Sequence, residues 1–201
     1  MKVMSKESKN IVFEKTLALI KNNETREWVK KVLNVLPEPF WVQPTSSTGK
    51  YHPACVNGIS GLLIHTKRVV WFAIKLMNAY DTQGPSFFDH DSIIAACILH
   101  DGVKGGKGVS NFEAYENHPL FVERLYRECF PEETLTQWQQ EIFDLIKYHM
   151  GPWSPESVKK PLEKYTKLEW IVYLADFLAS RKDLQTNVDS FGNLQLEYEE
   201  K

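Results

Sequence analysis

The segment CILHDGVKGG, residues 97–106, ends an apolar run in the pair His100-Asp101 and passes at once into a loop of Gly and Lys. A carboxylate at the end of a core helix is costly to bury unless something positive meets it. Other residues of the same chemistry recur along the chain: His65, His118, His149 and Asp176. Imidazole and carboxylate without thiolate suit Mn, Fe, Co, Ni or Zn better than they suit a thiolate zinc site. Six such residues exceed the four ligands of one tetrahedral centre. They match a pair of divalent ions sharing a bridging carboxylate, about 3.5–4 Å apart.

Helical spacing brings these residues to one interior. Over 59–80, Leu62, His65, Val69, Phe72 and Leu76 step by threes and fours, which puts His65 on an inward apolar stripe. Over 134–149, Ile142, Leu145, Ile146 and His149 do the same, and over 166–180 Val172, Asp176 and Ala179 share a face. Asp89 is placed to cap the helix that runs to His100 or Asp101. His118 closes a Gly-rich loop over 102–117, and Pro119 suits the first turn of the helix after it. A single buried His is usually a hydrogen-bonded core residue, and a single buried Asp usually caps or pairs. Six on the inner faces of separate helices would leave charges and lone pairs without partners unless a cation joins them.

The remaining elements frame that interior. Residues 11–20 and 25–36 carry helical apolar spacing, PEPF (37–40) stops the second of these, and 41–58 read as a long ordered loop. No alternating strand pattern stands out. The expected architecture is all-α: one single-domain bundle of about six to eight helices over residues 1–201, its ordered core at 11–182 and peripheral ends at 1–9 and 183–201. A hydrophobic fraction of 43% and a net charge of −2 describe an ordinary globular chain without the electrostatic footprint of a duplex-binding protein. Lys50, Lys67/Arg68, Lys104/Lys107 and Arg181/Lys182 are local basic spots able to meet an anion. The scattered Cys55, Cys97 and Cys129, the lack of a long apolar run and a start (MKVMSKESKN) without an apolar signal core point to reduced thiols, no membrane and a cytoplasmic location.

The order His65, His100-Asp101, His118, His149, Asp176 resembles the HD superfamily of metal-dependent phosphohydrolases in its six-ligand, two-metal form, over about residues 40–182. PTSSTGKYHPACVNGISGLLIHTKRV, YHMGPWSP and LADFLASR look like motifs of the HD domains of bacterial 3′-to-5′ exoribonucleases and their phage relatives. The resemblance implies that His65, His100, Asp101 and Asp176 hold one ion, and that His118 and His149 hold the second with Asp101 bridging both. The OB-fold that precedes the HD domain in those exoribonucleases has no room among 201 residues, so a small substrate is expected rather than a long nucleic acid.

Two such cations lower the pKa of a shared water and bind phosphate oxygens, which is the chemistry of phosphoester hydrolysis. The expected substrate is a nucleotide, cyclic nucleotide or short oligonucleotide. Lys104, three residues after Asp101, fits either a contact to phosphoryl oxygens or a solvated loop lysine. Lys50, His52, Lys107, Trp153 and Arg181 are candidate substrate contacts. Trp41 and Trp153 suit either base stacking or packing, Arg181 either a phosphate or the helix C-terminus, and His90 the surface. Two other readings remain open. Some six-ligand HD proteins, such as myo-inositol oxygenase and phosphonate-cleaving relatives, hold mixed-valent di-iron and activate O₂. A catalytically silent nucleotide-binding protein is the other.

Overall fold

The computed structural model describes residues 6–46, 50–81, 89–105 and 111–184. Among them are eight α-helices and no strand: α1 (Lys6–Leu17), α2 (Asn23–Val35), α3 (Glu38–Val42), α4 (Gly61–Asp81), α5 (His90–Leu99), α6 (Asn111–Cys129), α7 (Gln137–Lys147) and α8 (Lys167–Ala179). Short 3₁₀ turns lie at Ala54–Val56, Gly151–Trp153 and Leu162–Lys164. The all-α expectation holds.

The middle of the bundle is α5. Its residues from Ser92 to Leu99 are all buried, and a helix that is apolar all round must sit inside others. It packs against α2, α4, α7 and α8. Asp89 caps it through the Ser92 backbone N–H at 3.1 Å. The neighbouring Asp91 carboxylate accepts the backbone N–H groups of Lys21 and Asn22 at 2.8 and 2.6 Å, which pins the α1–α2 corner to the start of α5. The C-terminal end of α5 delivers His100 and Asp101 into the interior.

Along α5 run α4 and α8, themselves packed together. A capping box of Thr166 and Glu169 starts α8. Its other end is closed by Arg68 from α4, which donates from Nε to the carbonyl of Ala179 at 3.2 Å and from Nη2 to that of Leu184 at 2.9 Å. Arg68 is 1% exposed, and Lys67 is buried with its ammonium 5.9 Å from the Phe13 ring centre. The pair therefore offers no anion site, because α4 turns both side chains into the fold. Trp41 is likewise buried, packed against Phe13 and Phe40, so of its two readings the packing one applies.

Three helices differ from expectation in their bounds. Helix α1 begins at Lys6, not at 11, and ends at Leu17, not at 20. Helix α7 ends at Lys147, so His149 follows it in a turn. The largest difference is α6, which begins at Asn111 and carries both His118 and Pro119 inside it. Proline favours a first turn; inside a helix it loses the bond to the carbonyl four residues earlier and its ring crowds that carbonyl. The packing of α6 on α2 and α7 outweighs that cost. No helix among the described residues is long and apolar enough to cross a membrane.

Candidate metal centre and cleft

Four helices and one turn converge on Asp101. Its side chain is 1% exposed. Oδ1 lies 2.9 Å from Nε2 of His118 and 3.7 Å from Nε2 of His149. Oδ2 lies 3.4 Å from Nε2 of His100 and 3.7 Å from Nε2 of His65, and it accepts a hydrogen bond from Lys104 Nζ at 2.7 Å. On the other side, Asp176 Oδ1 is 2.9 Å from His65 Nε2 and 3.8 Å from His100 Nε2. His118 and His149 bring their Nε2 atoms to 3.1 Å of each other.

The backbone sets the ring orientation of two of these histidines. His100 Nδ1 is 2.8 Å from the Cys97 carbonyl, and His149 Nδ1 is 2.6 Å from that of Ile146. A carbonyl only accepts, so each Nδ1 carries a proton, and each ring in its neutral form turns a bare Nε2 inward. That is the tautomer a metal ligand needs, held by an outer hydrogen bond.

The donors fit a cation. His65, His100 and Asp176 offer atoms within 4.8 Å of one another, as do His100, Asp101 and His149. Ligands about 2.1 Å from one ion stand about 3.0–3.4 Å apart, by simple trigonometry on usual metal–ligand lengths. The measured separations cluster around that range. In addition, His65 Nδ1, His100 Nε2 and Asp101 Oδ1 are buried without an aligned hydrogen-bond partner. An ion would remove the cost of that burial at His100 Nε2 and Asp101 Oδ1, whereas His65 Nδ1 lies on the other edge of a ring whose Nε2 faces Asp176.

The electrostatics carry the same tension. Burial opposes charge on Asp101, yet Lys104, His100 and His118 outweigh it and hold the carboxyl well below the usual range. Asp176 is also held low, where the bond to His65 overcomes burial. Burial pushes His149 down to about 3, helped by His100 and His118. It lowers His65 as well, against the pull of Asp176. His100 goes the other way, because Asp101 and Asp176 outweigh burial. Ionised carboxylates facing mostly neutral imidazoles are the protonation states of a ligand set.

The family profile of the HD domain matches residues 62–181, from the first turn of α4 to just past α8. The chain belongs to the HD-domain family. No curated protein and no solved structure matches it. The family consists largely of metal-dependent hydrolases, and membership suggests metal-dependent phosphohydrolase activity.

A cleft of about 510 Å³ opens over the centre of this HD domain. His118, His149 and Asp176 form its floor, with Lys104 and His52 beside them. The His52 ring sits 5.7 Å from that of His65, and burial together with His65 and Lys104 lowers it to about 4. The far wall is aromatic, made of Tyr51, Trp153, Tyr173 and Phe177, with Arg181 at its edge. Arg181 is no helix cap, since Arg68 fills that place; it lies over Phe177 and Tyr51, 4.5 and 5.8 Å from the ring centres. Lys50 is exposed with its ammonium 5.2 Å from the centre of the Tyr51 ring. Lys107 lies outside the described residues. His90 pairs with Asp81 at 2.8 Å, away from the cleft.

Sequence reasoning named neither Tyr51 and Met150 nor Tyr173, Phe177 and Ser180. For the last three a signal existed: they follow the period that places Asp176 on the inner face of α8. Gly151 belongs to the same corner. It has a φ of +57°, and a Cβ there would stand 2.3 Å from the Tyr173 ring, so only glycine lets the turn after His149 close over that tyrosine.

Proposed function

We propose that this HD domain is a divalent-metal-dependent phosphohydrolase or phosphodiesterase of the six-ligand, two-ion kind, acting on a nucleotide, cyclic nucleotide or short oligonucleotide. The observation that carries the reading is Asp101: buried, ionised and flanked on each oxygen by imidazole nitrogens at 2.9–3.7 Å. In this reading His65, His100, Asp101 and Asp176 hold one ion, and His118 and His149 hold the other, with Asp101 shared. A pair of divalent ions supplies Lewis acidity toward phosphate oxygens and a hydroxide nucleophile near neutral pH.

The chain's own residues do the rest. His100 and His149 present fixed lone pairs because Cys97 and Ile146 hold their other nitrogens. Lys104, its side chain 17% exposed at the rim, carries positive charge to the side of Asp101 that faces the cleft. There it stabilises charge developing on phosphoryl oxygens. A polymer-degrading role like that of the exoribonucleases fits less well than a small phosphorylated substrate, given the absence of a basic surface in the overall charge.

The test combines elemental mass spectrometry of protein purified without chelator with turnover of bis-p-nitrophenyl phosphate and a nucleotide panel under Mn²⁺, in air and under argon. About two metal ions per chain and cleavage indifferent to O₂ are expected. Two irons without phosphoesterase activity would replace the reading with the di-iron oxygenase. Tight nucleotide binding without turnover under any divalent metal would replace it with a silent binding protein.

A further inference from the structure

The aromatic wall has features that the ligand set does not use. Trp153 is 62% exposed, an unusual state for the largest side chain. One face of its ring is paired with Phe177, nearly parallel at an interplanar angle of 10° and 6.0 Å between centres. The rest of the indole stands open in the cleft, and Tyr51 beside it is 55% exposed. Arg181 lies over Phe177 and Tyr51 and hydrogen-bonds only the Ser180 hydroxyl, at 2.8 Å. No carboxylate pairs with it among the described residues. A guanidinium lying over two rings at a cleft edge, with no carboxylate partner among the described residues, is a ready phosphate or anion contact.

What the wall lacks is as informative. The described residues lining the cleft include no Asn or Gln, and the only carboxylate is Asp176, which faces His65. Ser180 Oγ is already committed to the Phe177 carbonyl and to Arg181. Among the described lining residues the carboxamides that pair bidentately with a base edge are missing, whereas the ring faces accept any base. Arg181 and Asp176 line the same cleft, Asp176 at its floor and Arg181 at its edge.

We propose that Tyr51, Trp153, Phe177 and Arg181 form a subsite that holds a nucleoside phosphate by ring stacking and one guanidinium, without discriminating between bases. The proposal rests on the phosphohydrolase reading for the position of the scissile phosphate, and it adds how the rest of the substrate is held.

The experiment is calorimetric titration of the metal-loaded protein, under argon, with four nucleoside 5′-phosphonates whose C–P bond resists hydrolysis, and with the matching ribose 5-phosphonate. The four nucleoside analogues are expected to bind within about threefold of one another. The ribose analogue should bind at least about fivefold more weakly, the lower end of what one stacked base contributes. Trp153→Ala should erase that difference and Trp153→Phe should restore it. Arg181→Met should weaken nucleoside and ribose analogues alike. Equal binding of ribose and nucleoside analogues would overturn the subsite, as would a hundredfold preference for one base. Cleavage of bis-p-nitrophenyl phosphate is scored separately. If it fails while the four analogues bind equally, the phosphohydrolase reading falls and the subsite stands. If it proceeds while the base adds nothing, the reverse holds.

Discussion

Two buried polar centres lie within one helix length of each other, and they are built on opposite terms. Around Arg68 every visible need is met: its guanidinium closes the end of α8 through two carbonyls and rests 5.7 Å from the Phe72 ring. Around Asp101 needs are left open, with His100 Nε2, His65 Nδ1 and Asp101 Oδ1 all buried and unpartnered. A satisfied buried charge is a structural device, and its removal costs stability. An unsatisfied cluster is a site poised for a ligand, and its removal costs function. The two centres share α4 and α8, so the same helices serve both ends.

The contrast breaks most visibly at Asp101. Replacing it with Ala should lower turnover by about 10³-fold or more and deplete both metals, since the shared ligand is lost. Elemental analysis of the purified variant checks this, and a full metal complement would end the bridging assignment. Arg68→Met should do the opposite. It leaves carbonyls at the end of α8 without a donor and should cost about 2–4 kcal/mol in chemical denaturation, with metal content per folded chain unchanged. Should Arg68→Met unfold nothing yet strip the metals, the division between the two centres is wrongly drawn.

Lys104 tests the border between them. It is ion-paired with Asp101 like a structural group, but it also faces the cleft like a functional one. Lys104→Ala is expected to reduce turnover by about 10- to 100-fold while metal content stays near wild type. Unchanged turnover would make Lys104 a structural partner of Asp101 only.

Much of the site was legible because its chemistry is periodic. His65 and Asp176 stand on stripes spaced by threes and fours, and the structure puts both stripes inward. His100-Asp101 was marked by the abrupt end of an apolar run, which became the central helix. His118 was found by residue type, but its setting was misjudged, because a proline that usually starts a helix lies well inside α6. In the sequence Arg68 reads as part of a local basic spot able to meet an anion, since charge alone does not tell which way a helix turns its face. The Tyr51 and Trp153 part of the cleft comes from loops, where no period constrains side-chain direction.

Acid pH should separate the two centres most gently. In chelator, His149 and His52 are lowered to about 3 and about 4 by burial, and His65 is lowered too, while an unfolded histidine titrates at 6.5. Below pH 6.5 the unfolded chain therefore binds more protons, and the stability these three groups contribute is lost as pH falls toward 4. His100 is raised by the aspartates and acts in the reverse sense, giving stability below pH 6.5 that is lost on going higher. Three groups against one leave a net loss of stability as pH falls from 7 toward 4.5, with the share of His52 reduced by its partial exposure. Thermal melts in chelator across that range measure it. His52→Gln should flatten the slope in part, whereas Arg68→Met should lower every melt by a similar amount and leave the slope alone. A melting temperature that rises toward acid would mean that the protonated His100–Asp101 pair, not the buried neutral rings, governs the cluster.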